Sequence, residues 1–450
     1  MKKIYSNLDN FNSFLPNLSF FFSSNFLTHI SSFIIILLFA RSYTAIEFGN
    51  FTISQTVFFL VYSLSFSNIH YYLNRSLSRN FENRRKEIAS CFLITFYASF
   101  FLYILLAIIL NFLDIEKDLK YLILIINLIL IAEPFSIFYS EIFVRGQFKR
   151  IFKIRFFQSI IFFALKYIMI VNNFNYLYIG VLYFLEYLFF ASVIIYYYKK
   201  NGNNFSNLIF TKEQTIKILK KIILLPVLSL VFLISIRIDV LMIGQLIGVE
   251  YSGYYSSASR LIIMVLLYST LFLQFLYPNI SRIVVNNKKF EEIYKNLITF
   301  ACFVGIIFFI SVYFFGSYYL NLFGSKFLIA KEALNILAFN LYFALIFNIW
   351  VHKNFLTLNY KKILIFHLLT IILNIVLNIY LIDLYGIKGA SISTMISGII
   401  AFLTINISKP MEIYLIFSSF NASRFIVVAN KILSVVLLKK NPENTEKIKD

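Results

Sequence analysis

Six ionisable side chains lie within long apolar stretches of the sequence, where a charge is costly. They are Glu133, Lys166, Glu186, Arg237, Asp239 and Arg260. A charged side chain at the centre of a bilayer costs about 3 kcal/mol or more, so each one needs a partner or a polar cavity. These positions are therefore the first candidates for an ion site or a ligand site.

Lys166 and Glu186 are predicted to pair with each other. They lie on consecutive apolar stretches that run in opposite directions, and their depths differ by about one helical turn, ~5 Å. We interpret them as a structural ion pair that joins neighbouring helices, with a coupling role as the alternative. Glu133, on the stretch before Lys166, is placed in the same group.

Arg237, Asp239 and Arg260 form a second constellation. Arg237 and Asp239 are two residues apart and so face nearly opposite sides of one helix. We favour Arg237 and Arg260 lining a central cavity while Asp239 holds one of them; the alternative is an Asp239–Arg260 bridge that fixes the helical hairpin. Because guanidinium binds phosphate with two parallel hydrogen bonds, a cationic cavity suits a phosphate-bearing ligand.

Two asparagines add a polar face further along the chain. Asn374 and Asn378 are four residues apart and share one side of a helix. Their amides either line the same cavity as sugar-binding groups or bond a neighbouring helix. The histidines lack the spacing of metal ligands, and no cofactor or metal is expected.

The elements that must position these residues are twelve apolar windows. Sixty per cent of the residues are hydrophobic, and crossing a bilayer takes roughly 20 apolar residues per helix. The windows are 18–40, 51–70, 88–112, 119–143, 155–172, 176–198, 222–247, 252–281, 296–320, 332–352, 363–383 and 389–407. The sequence therefore predicts an all-α polytopic membrane protein with about twelve transmembrane helices in two six-helix lobes.

Lysine and arginine in the loops predict the orientation. Of 41 such residues, 32 lie at the termini or in loops on one side, with Arg155 counted in the fourth loop. Cytoplasmic loops carry this excess, so both termini are predicted to be cytoplasmic in a multi-pass protein of the bacterial inner membrane. The net charge of +20 has the same origin, and nucleic acid is not an expected partner.

The predicted organisation has four parts. The first lobe is 1–198, the basic cytoplasmic linker 199–221 and the second lobe 222–407. A tail at 408–450 is expected to lie in the membrane interface and to be partly disordered, with a short thirteenth span as the alternative. A weak repeat supports the two lobes, since an acidic residue, an aromatic and a glycine recur after the first and the seventh window.

Candidate hinges are three prolines inside windows and two glycines at the repeated turns. They are Pro134, Pro226, Pro278, Gly49 and Gly253. Proline removes a backbone donor and bends a helix, so these positions are predicted to be hinges, with static kinks as the alternative. No phosphate-binding loop and no external loop with a nucleophile and its base is found, so the chain is not expected to be an enzyme.

Several stretches resemble one family of membrane proteins. They are Phe39-Ala40-Arg41, Glu47-Phe48-Gly49-Asn50-Phe51, Arg237-x-Asp239, Gly253-Tyr254-Tyr255, Arg260 and Tyr385-Gly386-Ile387-x-Gly389-Ala390. The chain resembles the polysaccharide-unit (O-antigen type, Wzx) flippases of the multidrug/oligosaccharidyl-lipid/polysaccharide exporter superfamily. The resemblance covers nearly all of the first 407 residues. Arg41, Gly49, Arg237, Asp239, Gly253 and Arg260 are the positions that carry over.

The resemblance implies a function, which is alternating-access transfer of an undecaprenyl-pyrophosphate-linked oligosaccharide to the outer leaflet for surface polysaccharide synthesis. Membrane lipids and other polysaccharide assembly proteins are the further expected partners. The chain departs from the family where Thr44-Ala45-Ile46-Glu47 replaces the usual Gly-Pro after the first helix. The alternatives are a drug/cation antiporter of the same superfamily and a membrane-embedded polymerase or acyltransferase.

Overall fold

The computed structural model describes residues 11–66, 69–79, 83–283, 287–357 and 359–406. Within these residues the regular structure is entirely helical. The interfacial tail predicted for 408–450 lies outside the described residues.

Sixteen α-helices are described. They are α1 (Phe11–Ser42), α2 (Ala45–Leu64), α3 (Ile69–Arg79), α4 (Arg84–Phe112), α5 (Lys117–Asn127), α6 (Ile129–Ala132), α7 (Tyr139–Val144), α8 (Phe148–Val171), α9 (Leu177–Lys200), α10 (Lys212–Ile222), α11 (Leu224–Leu246), α12 (Val249–Ile283), α13 (Asn287–Phe323), α14 (Lys331–Leu356), α15 (Tyr360–Tyr385) and α16 (Ile387–Asn406). Short 3₁₀ segments cover Glu133–Phe138, Phe205–Asn207 and Ser325–Ala330.

Each of the twelve apolar windows overlaps one of these helices or a run of them. Ten stretches of the described residues are long and apolar enough to cross a membrane. The first two windows hold α1, with a shorter apolar stretch at Phe26–Ser42, and the 20-residue α2. The all-α polytopic fold is thereby confirmed.

The start of the fifth window was predicted too late. Helix α8 begins at Phe148, seven residues before the predicted start at 155. The basic residues Lys149, Arg150 and Lys153 lower the hydropathy of this segment without interrupting the helix. Arg155, which the sequence analysis counted as a loop residue, therefore lies two turns inside α8.

A capping box replaces the family's Gly-Pro at the start of α2. The Glu47 amide donates to Thr44 Oγ1 over 3.2 Å, and the Thr44 amide donates to Glu47 Oε2 over 2.8 Å. These bonds satisfy two of the amides that a helix start leaves unpaired. The turn after α1 is therefore defined by side-chain caps.

The fourth window is an irregular helix. It consists of α5, α6, the 3₁₀ segment Glu133–Phe138 and α7 in succession. Pro134 occupies the first turn of the 3₁₀ segment, where its missing amide hydrogen changes the bonding pattern. Glu133 therefore sits at a break in α-helical geometry.

The other candidate hinges lie in regular helix. The seventh window breaks between Ile222 and Leu224, so Pro226 is in the first turn of α11, where proline is tolerated. A hinge role for Pro226 at this break stays a prediction, with a static kink as the alternative. Pro278 lies within α12, and Gly49 and Gly253 lie near the starts of α2 and α12. A hinge role at these three positions stays a prediction.

The chain divides into two compact units, the first up to Ile234 and the second from Ser235. In the first unit, the basic loops fold as two amphipathic helices. Helix α3 buries Leu73 and Leu77, and α10 buries Ile218 and Ile222, each pair four residues apart on one face. These faces share one apolar cluster with the amino-terminal end of α4 and the carboxyl-terminal end of α9.

In the second unit, two glycines of the Tyr385–Ala390 stretch shape the hairpin between α15 and α16. Gly386 has φ +58°, which favours glycine at the turn. A Cβ atom on Gly389 would lie 1.8 Å from the Leu381 carbonyl oxygen. The stretch is therefore a close-packing motif.

Candidate functional site

A polar cluster in the second unit centres on the Asp239 carboxylate. Asp239 is 2% exposed and accepts hydrogen bonds from Tyr255 Oη (2.7 Å), Thr394 Oγ1 (2.6 Å) and Asn378 Nδ2 (2.8 Å). The donors belong to α12, α16 and α15, whereas Asp239 belongs to α11. One carboxylate therefore joins four helices.

The two asparagines complete a closed ring. Asn378 Nδ2 also donates to Asn374 Oδ1 over 2.9 Å, and Asn374 Nδ2 donates to Thr394 Oγ1 over 3.4 Å. Because Thr394 donates to Asp239, the four side chains form one hydrogen-bonded circuit. Asn374 and Asn378 are 1% and 0% exposed, so in this conformation they bond neighbouring helices and do not line a cavity.

The predicted partner of Asp239 was wrong. The sequence analysis expected this carboxylate to hold Arg237 or Arg260, and its partners are three neutral donors. Arg237 and Asp239 point away from each other because they are two residues apart in α11. The neutral donors come from α12, α15 and α16, and the sequence alone does not predict that these helices meet α11 at this depth.

Arg237 and Arg260 lie close enough for their positive charges to interact, and both are partly buried. Arg260 also interacts electrostatically with Tyr319, whose hydroxyl donates to the Ser257 carbonyl over 3.0 Å. The neighbourhood of the two arginines, predicted from sequence, is present within the second unit. Two interacting positive charges form an electropositive site that attracts anions.

Lys166 and Glu186 form the predicted ion pair in the first unit. Lys166 Nζ lies 2.5 Å from Glu186 Oε2 and 3.4 Å from the ring centroid of Tyr183. The side chains are 5% and 21% exposed. The pair joins α8 to α9, as a structural role requires, and a coupling role stays a prediction.

Arg155 is the residue that the sequence analysis missed. Its guanidinium carbon lies 3.7 Å from the ring centroid of Phe190, and Nη1 donates to Gln158 Oε1 over 3.3 Å. Gln158 in turn donates to Glu186 Oε1 over 3.4 Å. The spacing of Arg155, Gln158 and Lys166 places them on one face of α8, and this pattern could have identified the arginine from sequence.

Among the described residues no cation pairs with Glu133, which corrects its grouping with Lys166. Its carboxylate is 2% exposed and accepts from the hydroxyls of Tyr62 (3.1 Å), Ser136 (3.3 Å) and Tyr187. The pairing was wrong because neutral donors from α2 and α9 reach this carboxylate. Glu133 therefore has a hydroxyl-lined site of its own.

The remaining predicted residue, Arg41, is exposed in the last turn of α1, where a cation stabilises the helix end. Among the residues that the structure describes, no three His, Cys, Asp or Glu side chains come together as metal ligands would. A cleft of about 380 Å³ in the second unit is lined mostly by apolar side chains of α12, α13 and α14, with His352 and Lys353 among them.

These features define a class, a multi-pass helical membrane protein with buried polar clusters in each of its two units. A family model described as "Polysaccharide biosynthesis protein" matches residues 14–284. The chain belongs to this family. No curated protein matches it.

Solved structures with the same fold are membrane transporters. The lipid II flippase MurJ in an inward closed conformation is 17% identical, with 94% of this chain and 98% of that chain covered and a TM-score of 0.69. An inward-facing multidrug resistance MATE family transporter of the MOP superfamily is 14% identical (86% and 94% covered, TM-score 0.67). A MOP superfamily transporter from Pyrococcus furiosus is 13% identical (87% and 94% covered, TM-score 0.63). These likenesses establish the fold.

Proposed function

We propose that this protein is a flippase for a lipid-linked oligosaccharide in surface polysaccharide biosynthesis of the O-antigen or capsule type. Its substrate is an undecaprenyl-pyrophosphate-linked repeat unit, which crosses the bacterial inner membrane by alternating access. The observation that carries the proposal is the neighbouring pair Arg237 and Arg260 within membrane-spanning helices of a polysaccharide biosynthesis protein.

The chemistry of a pyrophosphate fits this pair. The diphosphate brings at least two negative charges, and each guanidinium offers a planar fork of donors that matches phosphate oxygens. Two arginines that repel one another are stabilised when an anion lies between them, because the attraction of each cation to the anion outweighs their mutual repulsion. Arg237 and Arg260 are therefore the proposed pyrophosphate ligands.

The Asp239 ring supports this role by fixing the depth of both arginines. Asp239 follows Arg237 by two residues, and its partner Tyr255 precedes Arg260 by five. A second bond between the same helices joins Ser252 Oγ to the Val240 carbonyl over 2.7 Å. Because these two bonds join α11 to α12 near the turn between them, the backbone positions of Arg237 and Arg260 are held in register.

The alternatives fit these residues less well. A drug/cation antiporter needs unsatisfied negative charge to receive its cation, whereas the Asp239 carboxylate already accepts from three donors. A polymerase or acyltransferase needs a nucleophile next to its base at a place that a substrate can reach, and the hydroxyl beside the His70 imidazole, that of Ser136, is only 4% exposed. Transport without covalent chemistry is therefore the proposed activity, and the protein is not proposed to be an enzyme.

The test is reconstitution of the purified protein into liposomes with a fluorescent undecaprenyl-pyrophosphate-linked oligosaccharide. Flipping is measured as the fraction of label that a membrane-impermeant quencher reaches with time. We expect faster flipping than in protein-free liposomes, and no acceleration for a lipid whose headgroup is a quaternary ammonium. Equal rates with and without protein, or a preference for the cationic lipid, would contradict the proposal.

A further inference from the structure

A chain of hydrogen bonds leads away from Glu133 in the first unit. Ser136 Oγ donates to Glu133 Oε1, and the same oxygen lies 3.0 Å from His70 Nε2. On the other side of the imidazole, His70 Nδ1 lies 2.9 Å from Ser140 Oγ. A buried carboxylate and an imidazole are therefore separated by a single hydroxyl.

The local sequence explains this alignment. Pro134 converts the segment after Glu133 into a 3₁₀ helix, in which residues three apart are eclipsed. Glu133 and Ser136 therefore point the same way, and Ser140 follows one turn later in α7. His70 reaches both serines from α3, whose apolar face packs on the same cluster as Phe138.

One end of this chain of hydrogen bonds is almost fully buried, and the other end is partly exposed. Glu133, Ser136 and Ser140 are almost fully buried, whereas His70 is only partly buried. His70 belongs to the segment before the basic loop that the positive charges assign to the cytoplasm. The imidazole is therefore the member of the chain nearest to cytoplasmic water.

We propose that Glu133, Ser136 and His70 form a proton relay, through which a proton from the cytoplasmic side reaches a proton-binding site at Glu133. A transient imidazolium at His70 gives its Nε2 proton to Ser136 Oγ as Ser136 passes its own proton to Glu133 Oε1. The products are a neutral imidazole and a neutral carboxylic acid, so the only species consumed is the proton that charged His70. Ser140 keeps the imidazole oriented through Nδ1.

The surroundings of the two titrating groups determine their pH response. Glu133 is faced by the hydroxyls of Tyr62 from α2 and Tyr187 from α9. From α8, Arg155 interacts electrostatically with Tyr139, Glu186 and Tyr62. Further ionisable groups near the relay are Tyr139, whose ring centroid lies 6.4 Å from that of the imidazole, and Glu141, which follows Ser140 in α7 and pairs with Arg145 and Arg84.

The relay has a consequence for transport, which rests on the proposed flippase function. Protonation removes the negative charge of Glu133 and lets the carboxyl donate a hydrogen bond to one of its hydroxyl neighbours. Glu133 lies at the non-α-helical break of the fourth window. Its change from hydrogen-bond acceptor to donor therefore occurs where the helix is least regular. Proton binding is thus positioned to bias the shape of the first unit.

The experiment needs no substrate. Purified protein in lipid nanodiscs is titrated by infrared difference spectroscopy, and the carboxylic-acid band that disappears in Glu133→Gln is assigned to Glu133. We then expect exchange of its proton for deuterium to slow by about 100-fold in Ser136→Ala, because the transfer loses its positioned hydroxyl. Ser136→Thr, which keeps a hydroxyl, restores the rate.

The matched control is Ser63→Ala. Ser63 is an equally buried serine of the first unit whose hydroxyl donates to the Leu60 carbonyl, and its loss leaves the exchange rate unchanged. If Ser136→Ala is not recovered folded, His70→Asn removes the titrating ring and is expected to slow exchange in the same way. A Glu133 proton that exchanges equally fast in Ser136→Ala or His70→Asn overturns the relay. Failure of liposome flipping would instead count against the proposed function alone.

Discussion

Glu133 in the first unit and Asp239 in the second are both buried carboxylates held by three neutral donors, yet their networks differ in shape. The bonds around Asp239 return to it through Asn378, Asn374 and Thr394 and so form a closed ring. The bonds around Glu133 lead outwards through Ser136 to an imidazole. A closed ring fixes helices in place, whereas an open chain that ends in a titrating group can move a proton. The arrangement of neighbours therefore decides the role of a carboxylate.

The largest expected effect is the loss of the closed ring in Asp239→Ala. Removing the acceptor leaves three buried donors unpaired, at about 1–3 kcal/mol each. We expect a marked fall in the thermal unfolding temperature of the detergent-purified protein. Asp383→Ala, an exposed aspartate of the same unit, is the control. Glu133→Gln keeps acceptor and donor groups in the open chain and should be nearly as stable as the wild type. Equal losses of stability in both variants would show that the closed ring and the open chain do not differ in their contribution to folding.

The next effect concerns the ion pair of the first unit. Lys166→Met leaves the Glu186 carboxylate without its paired cation, which is expected to cost about 3 kcal/mol, at the low end for a buried pair because Glu186 is 21% exposed. Replacing both residues with apolar ones (Lys166→Met with Glu186→Leu) should recover most of the protein level. Membrane abundance measured by quantitative blotting checks this. A double variant that accumulates normally but transports nothing would assign the pair to the transport path.

Arg260→Ala separates the anion-binding role of the second unit from its folding. Loss of a charged hydrogen bond worth about 1.5–3 kcal/mol lowers the flipping rate about 10- to 100-fold, and Arg260→Lys recovers part of it because ammonium lacks the planar fork. Lys388→Ala, which removes an exposed cation paired with Glu332, serves as the control. Full transport by Arg260→Ala at normal abundance would remove this arginine from the pyrophosphate site.

The smallest effect is predicted for the cap of α2. Thr44→Ala removes the side-chain acceptor of the Glu47 amide and should cost about 1 kcal/mol. A small fall in the unfolding temperature with unchanged flipping is the expected result. A large loss of transport at normal stability would show that this turn has a functional role beyond capping. The turns that precede α2 in the first unit and α12 in the second would then have to be compared for function.

The sequence by itself determined the all-α membrane fold and the pairing of Lys166 with Glu186. These features depend on quantities that add along the chain, namely apolar length, loop charge and the depth of a residue in its helix. Hydropathy averaged along the chain placed Arg155 in a loop, because basic residues at the start of a helix lower the mean hydropathy as loop residues do. A face pattern over Arg155, Gln158 and Lys166 would have revealed it.

Only the tertiary structure decided the partners of Glu133 and Asp239. Their donors are separated from them by up to 155 residues, as Thr394 is from Asp239. Tyrosine, serine, threonine and asparagine are common in membrane helices and carry no sequence signal of the helix that they will face. Which helices meet at a given depth depends on packing between distant segments. This packing gives Asp239 a closed ring of hydrogen bonds and Glu133 an open chain.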